Sequence, residues 1–234
     1  MNDAMLTDIP HRLFVFDCDG TLVDSQHNIV AAMAAAWARH DLPAPAATDV
    51  RRIVGLTLEI AIARLLPAAN DATHRALAAA YREIVHDLRA GNAQGVAEEL
   101  LFPGIRELIE ALAAPEIFLG VATGKNLRGL EHTLDVHGLR ERFHTLQTAD
   151  RCRSKPDPEM VLRAMAETGI EAGSTVVIGD TSFDMEMARS AGAIAIGVAW
   201  GYHEVAELRH AGAHAIIQQP ADLLVELRRL APAA

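Results

Sequence analysis

The sequence predicts an α/β protein with a parallel sheet core and an inserted α-helical cap. Short apolar runs alternate with amphipathic helical patterns along most of the chain, which is typical of a parallel sheet covered by helices on both faces. This alternation stops after the first predicted strand, where a stretch of roughly 75 residues shows helical patterns alone. A chain of 234 residues is long enough to bury a core and a smaller second unit.

The first apolar run, residues 13–16, ends at the turn-forming sequence Asp17-Cys-Asp-Gly-Thr21 and is therefore predicted to be a buried strand. Five later runs are also predicted strands: 117–122, 145–148, 175–178, 193–198 and 215–217. The pattern is weakest in 145–148. Helical patterns lie between most of these runs or follow the last one: 103–113, 127–137, 158–168, 183–190 and 220–230. This order of elements predicts a Rossmann-like parallel sheet.

The helical stretch that follows the first strand contains no convincing strand pattern. Its helices are predicted at 26–40, 47–54, 58–66 and 71–89. The segment 42–45, which contains two prolines, ends the first of them, and Thr48 and Asp71 are predicted N-caps. We therefore expect an α/β core formed by residues 1–24 and 101–234 and a helical cap formed by residues 25–100.

Composition and charge exclude several classes of protein. The net charge of −10 argues against a general nucleic-acid-binding protein, which needs a basic surface. The longest apolar run, 29–38, has 10 residues and is too short to span a bilayer. Two cysteines cannot form a disulfide framework, so a reducing cytoplasm is the expected compartment. We expect a cytoplasmic monomer or homodimer with no membrane segment.

Four polar motifs lie where predicted strands end, at the edge where an open α/β sheet places its ligand site. They are Asp17-x-Asp19-Gly-Thr, Thr123-Gly124, Lys155-Pro-Asp-Pro and Gly179-Asp180-Thr-Ser-Phe-Asp184. Paired carboxylates can supply oxygen ligands to Mg²⁺, or a nucleophile beside a general acid. A hydroxyl, free backbone N–H groups and a lysine can bind phosphate oxygens. The sequence has no histidine cluster for zinc and no Gly-x-Ser-x-Gly elbow of a serine hydrolase.

These four motifs, in this order, resemble the pattern of the haloacid-dehalogenase superfamily, and the resemblance covers nearly the whole chain. The sequences Val121-Ala-Thr-Gly-Lys125, Ser154-Lys-Pro-Asp-Pro158 and Gly179-Asp-Thr-Ser-Phe-Asp-Met185 are most similar to its phosphoglycolate phosphatase branch. One class of the family carries a helical cap at the place of the insertion seen here. The resemblance implies a Mg²⁺-dependent phosphatase that acts on a small phosphorylated metabolite such as 2-phosphoglycolate.

The resemblance also implies a mechanism. Asp17 would attack phosphorus and form an aspartyl phosphate, and Asp19 would protonate the leaving oxygen and then activate water. Mg²⁺ would be held by the Asp17 carboxylate, the backbone carbonyl of Asp19, and Asp180, and would offset the repulsion between nucleophile and phosphate. The carboxylates of Asp17, Asp19 and Asp180 are therefore expected to converge in one crevice.

The other motif residues are expected to act around this centre. Thr123 and Lys155 would bind the phosphoryl oxygens, and Asp184 would orient metal-bound water or Lys155. Gly124 and Lys125 are possible substrate contacts.

The cap is expected to discriminate between substrates. Arg51 and Arg52 lie just before Gly55, where a turn could bring the cap onto the core. A guanidinium there could bind both oxygens of a substrate carboxylate. The alternative is that the pair forms a solvated helix end.

Several functions remain open on the sequence alone. A phosphomutase would keep all four motifs, and a sugar phosphate, a nucleotide or pyrophosphate could replace phosphoglycolate as the substrate. A dehalogenase of the same superfamily would not need Asp19. An inactive phosphate-binding module would have a damaged motif, and no motif is damaged here.

Overall fold

The computed structural model describes residues 10–89 and 98–230. Residues 1–9 and 231–234 of the predicted core, and residues 90–97 of the predicted cap, lie outside the described residues. The described chain forms a six-stranded parallel sheet and a separate antiparallel pair. The strands of the large sheet are β1 (Leu13–Phe16), β4 (Phe118–Thr123), β5 (Thr145–Thr148), β6 (Thr175–Gly179), β7 (Ile194–Val198) and β8 (Ala215–Ile217). The strands of the antiparallel pair are β2 (Val23–Asp24) and β3 (Leu100–Leu101).

The large sheet has the strand order β5-β4-β1-β6-β7-β8, which confirms the predicted α/β class. All six predicted strands are present, including the weak one. The helices are α1 (Gln26–Ala38), α2 (Ala47–Arg52), α3 (Leu58–Leu65), α4 (Asp71–Arg89), α5 (Ile105–Ala111), α6 (Leu127–Val136), α7 (Glu159–Thr168), α8 (Ser182–Ser190), α9 (Val205–His210) and α10 (Leu223–Leu230). Within the described ranges, none of these helices has the length and apolar character required to cross a membrane.

Strand β1 is the centre of the sheet, since it pairs with both β4 and β6. All four of its residues are buried. Phe14 and Phe16 pack into the apolar cluster on one face of the sheet, and Leu13 and Val15 pack into the cluster on the other face. Successive side chains of a strand point to opposite faces, so a strand covered on both sides has to be apolar throughout.

The four helices α1–α4 have an apolar cluster of their own, in which Met33, Trp37, Ile62 and Leu77 are fully buried. Phe183, the second residue of α8, also packs into this cluster. An aromatic side chain of the sheet region therefore contacts the predicted cap directly. The boundaries between core and cap stay a prediction.

Three local features within residues 23–101 differ from the sequence-based expectations. The antiparallel pair β2–β3 was not expected, because two residues are too few to show an alternating pattern. Thr48 is not an N-cap, because it is the second residue of α2 and Ala46 occupies the cap position. Asp71 is the first residue of α4, and the side chain of Asn70 accepts a hydrogen bond from the backbone N–H of Thr73 (2.9 Å). A cap side chain bonds to the N–H two or three positions ahead, and Asn70 satisfies this rule.

The apolar cluster of the cap generates a stability prediction. Leu77→Ala should lower the free energy of unfolding by about 2–5 kcal/mol, because it removes a fully buried side chain and leaves a cavity. Ile60→Ala is the control, since Ile60 is 42% exposed and its truncation should cost less than about 1 kcal/mol. Urea denaturation followed by circular dichroism measures both variants. Equal losses in the two variants would contradict the packing described here.

Candidate active site

The candidate site lies at the carboxyl edge of the three central strands. Phe16, the last residue of β1, is in register with Val121 of β4 and Ile178 of β6. The motif residues that end or follow these strands are Asp17, Thr123 and Asp180, and the parallel register brings them to the same edge. All three side chains are buried.

Three buried carboxylates form the centre of the site. The carboxylates of Asp17, Asp180 and Asp184 each place an oxygen within 4.8 Å of the others. Lys155 lies between two of them, since its Nζ is 2.8 Å from Asp17 Oδ1 and 2.6 Å from Asp184 Oδ1. The backbone N–H of Cys18 also donates to Asp17 Oδ1 (2.7 Å). Among the described residues, Asp17 Oδ2 is buried and has no hydrogen-bond partner.

The charges at this centre do not balance. Burial raises the pKa of Asp17 well above its ordinary value, and the neighbouring carboxylates of Asp184 and Asp180 add to this effect. Burial and the Asp184 carboxylate raise the pKa of Asp180 to about 7. Burial alone would lower the pKa of Lys155, but the two carboxylates beside its ammonium group raise it instead. One lysine is therefore charged and cannot neutralise three carboxylates.

The residues at this centre fit a small divalent cation. Mg²⁺ prefers carboxylate and carbonyl oxygens, and three carboxylates with one unpartnered oxygen provide this donor set. Asp180 is held in place by the hydroxyl of Thr21 (2.8 Å) and the backbone N–H of Tyr202 (2.9 Å). Gly20 allows the close approach, because a Cβ at this position would lie 2.3 Å from Asp180 Oδ2, and its φ of 88° also suits glycine.

Asp184 is positioned by the first turn of α8. The backbone N–H and the hydroxyl of Thr181 both donate to Asp184 Oδ2, at 3.0 and 2.6 Å. The Thr181 hydroxyl in turn caps the helix. This capping box leaves Asp184 Oδ1 facing Lys155, which is the placement that the predicted positioning role requires. The pattern Thr-x-x-Asp, formed by Thr181 and Asp184, indicates this capping box in the sequence.

The carboxylate of Asp19 does not join the other three, so the expected convergence of Asp17, Asp19 and Asp180 is wrong in this respect. Asp184 takes its place in the carboxylate cluster. Asp19 Oδ1 lies 2.7 Å from Lys125 Nζ and accepts a hydrogen bond from the Ser25 hydroxyl. Alternate residues of an extended strand point to the same face of the sheet. The chain turns at Gly20, directly after Asp19, so this rule does not apply to Asp17 and Asp19.

Ser25 and Tyr202 were not identified from the sequence. The hydroxyl of Tyr202 accepts from the backbone N–H of Ser25 (3.1 Å) and lies 3.4 Å from the Ser25 hydroxyl. Tyr202 thus supports the residue that holds Asp19. It lies 177 positions away in the sequence and belongs to no motif, so no local pattern connects it to the site.

Three further predicted residues, Thr123, Gly124 and Lys125, lie at the border between the sheet and the cap. The Thr123 hydroxyl accepts from the backbone N–H of Lys125 (3.2 Å). Gly124 lies against the cap, because a Cβ there would be 2.5 Å from the backbone oxygen of Leu56. The Lys125 ammonium pairs with Asp19 and lies 3.8 Å from Glu99, and these two carboxylates raise its pKa although burial opposes the charge.

Arg51 and Arg52 lie elsewhere, and the expectation that they face the substrate is not supported. Arg52 pairs with Glu207 of α9 (2.7 Å), a helix that was not predicted from the sequence. The Nε of Arg51 is buried with no hydrogen-bond partner among the described residues. Neither residue lines the cavity beside the site.

A cavity of about 650 Å³ extends from the site between the cap helices and the start of α6. Asp19, Gly124 and Lys125 form its inner end. The volume is within the range of pockets that hold small organic ligands. The structure therefore combines a buried carboxylate–lysine centre with an adjoining space for an organic group.

Three curated relatives are similar to the chain over most of its length. A probable phosphatase, IndB, of Dickeya dadantii is 35% identical over 88% of this chain and 88% of its own length. An N-acetylmuramic acid 6-phosphate phosphatase of Pseudomonas aeruginosa is 31% identical over 93% of this chain and 95% of its own. A phosphoglycolate phosphatase of Pseudomonas syringae pathovar tomato is 28% identical over 94% of this chain and 79% of its own.

The family model for haloacid dehalogenase-like hydrolases matches residues 14–198, a range that includes all four motifs. The match extends over more than half of the chain, and the similar proteins are phosphatases. The chain therefore belongs to the haloacid dehalogenase-like hydrolases, as its motifs predicted.

Proposed function

We propose that this protein is a Mg²⁺-dependent phosphomonoester hydrolase that acts through an aspartyl phosphate on Asp17. One observation carries the proposal. Asp17 is fully buried, Lys155 and a backbone N–H hold its Oδ1, and its Oδ2 has no hydrogen-bond partner among the described residues. A carboxylate held in this way has one oxygen free for a cation or for a phosphorus atom. The relatives named as phosphatases support the same reaction class.

The residues of the centre divide the first step between them. Asp17 attacks phosphorus, and Lys155, fixed by Asp184, balances charge on the nucleophile and on the phosphoryl oxygens. Thr123, the last residue of β4, is the proposed ligand of a further phosphoryl oxygen. Asp17, Asp180 and the backbone carbonyl of Asp19 are the proposed ligands of Mg²⁺. The bound ion would lower the repulsion between the anionic nucleophile and the phosphate.

Asp19 is the proposed acid and base. Its carboxylate lies at the inner end of the cavity, where the leaving group of a substrate on Asp17 would emerge. It would protonate the leaving oxygen and then take a proton from the water that hydrolyses the aspartyl phosphate. Ser25 and Lys125 hold this carboxylate, so its transfer of a proton requires it to turn from these partners towards the substrate.

The substrate is a small phosphorylated metabolite, and 2-phosphoglycolate remains the candidate predicted from the sequence. The volume of the cavity favours a second candidate, a larger phosphomonoester such as a sugar phosphate. A phosphomutase would use the same centre, and product analysis separates the two reactions. The expected compartment is still the cytoplasm.

Replacement of the nucleophile tests the mechanism. Asp17→Asn keeps the size of the side chain but removes the anionic oxygen, so turnover should fall by at least about 10³-fold. Release of inorganic phosphate from a panel of phosphomonoesters measures it. Asp135→Asn, which removes an exposed carboxylate from α6, is the control and should keep wild-type turnover. Near-normal turnover in Asp17→Asn would exclude an aspartyl phosphate on this residue.

Cation binding can be tested without activity. Mg²⁺ should raise the melting temperature, because it binds only the folded cluster and offsets the excess negative charge there. Asp180→Asn should remove most of this shift, and Asp135→Asn should retain it. Thermal unfolding with a titration of MgCl₂ gives the readout. The metal assignment fails if the wild-type protein shows no shift and keeps full activity in excess chelator.

A further inference from the structure

We propose that the natural substrate has an extended leaving group with an apolar body and a carboxylate at its far end, and that Arg128 binds this carboxylate. The inference rests on the proposed function and concerns the same site. It assigns Arg128, which no motif includes, as a residue that determines specificity.

The cavity extends along the first part of α6. Its lining continues from Gly124 and Lys125 along α6 to Arg128 and His132. At about 1.5 Å per helical residue, the Arg128 backbone lies about 3 Å and the His132 backbone about 9 Å along the helix axis from Asn126, the N-cap of α6. The two carbons of a glycolate group are joined by one bond of about 1.5 Å. A glycolate group is therefore too small to fill a cavity of about 650 Å³ whose lining continues to His132.

The two walls of the cavity differ in polarity. The cap contributes the apolar side chains of Ile29, Met33, Leu58 and Val85 to the cavity. The opposite wall, on α6, carries Arg128 and His132, and both residues are exposed, so they lie on the outer side of the cavity. A ligand that matches both walls has an apolar face towards the cap and a negative group towards α6.

Most of the charged side chains that line the cavity form ion pairs with each other. Lys125 pairs with Asp19, and Arg82 pairs with Glu59, so the lining charges of these four residues are compensated in pairs. Asp150 also lines the cavity, and its Oδ1 accepts hydrogen bonds from two neutral donors, the backbone N–H of Leu127 and the Thr148 hydroxyl, so its charge is not compensated by a cation of the described chain.

Arg128 differs from the other lining cations. It is exposed and forms no ion pair with any part of the chain that the structure describes. A guanidinium can bind both oxygens of a carboxylate at once, which an ammonium group cannot do in the same geometry. An unpaired guanidinium on the outer wall therefore favours a carboxylate at the far end of the substrate.

The test compares two substrates that differ only in the distal anion. Phenyl phosphate and 4-carboxyphenyl phosphate share the same apolar body, and the second places a carboxylate beyond it. For the wild-type holoenzyme with Mg²⁺, kcat/KM should be at least about tenfold higher for the carboxylated ester, which corresponds to about 1.4 kcal/mol. Arg128→Gln should reduce this ratio by about tenfold, mainly through KM. Arg163→Gln, which removes an exposed guanidinium of α7 that does not line the cavity, should keep the ratio.

A second variant tests the size of the leaving group independently of charge. Val85→Trp narrows the cavity from the cap side. Its kcat/KM should fall at least about tenfold more for 4-carboxyphenyl phosphate than for 2-phosphoglycolate, because only the longer group needs the outer cavity. Thermal unfolding of both variants checks that the fold is intact.

The outcomes distinguish the role of Arg128 and the size of the leaving group from the phosphatase activity itself. A wild-type ratio near one, or an unchanged ratio in Arg128→Gln, overturns the role of Arg128 while phosphatase activity survives. Equal losses on both substrates in Val85→Trp overturn the extended leaving group. Failure of the wild-type protein to release phosphate from any ester contradicts the proposed function itself, and this inference falls with it.

Discussion

The site depends on one constraint, which is that three carboxylates are buried around a single lysine. Asp17, Asp180 and Asp184 are almost completely shielded from water, and Lys155 reaches only two of them. Burial of unpaired charge is costly, so such a cluster is stable only if protons or a cation compensate it. The raised pKa values of Asp17 and Asp180 express this requirement for the chain alone. A phosphatase can use the same excess charge to recruit a divalent cation.

The surrounding fold maintains this constraint by close packing. The capping box of α8 fixes Asp184, the Thr21 hydroxyl and the Tyr202 N–H fix Asp180, and Gly20 leaves room for it. The cap adds a further layer, since Leu56 approaches Gly124 so closely that no side chain fits there. Charge at the centre and closure by the cap are thus supported by separate contacts, and a change in one need not disturb the other.

The sequence predicted most of the sheet because strands buried on both faces must be continuous apolar runs, as in Leu13–Phe16. It also predicted the residues at the strand ends. It did not predict β2 and β3, which are too short to show a period, and it did not predict α9. The direction of the Asp19 side chain depends on Lys125 and Ser25, and the partner of Arg52 lies on α9. Such contacts join distant parts of the chain, so no local spacing reveals them.

The division of roles between motif and cavity explains why the substrate is harder to derive than the reaction. The motif residues surround the phosphoryl group, and every phosphomonoester presents the same group to them. In the proposed reaction, the leaving group would meet the cap on one side and α6 on the other, and the N-cap of α6, Asn126, directly follows Lys125. If the leaving group lies in this cavity as proposed, specificity is not confined to the cap. A helix that starts directly after a motif can also contribute residues to the lining of the cavity, as α6 contributes Arg128.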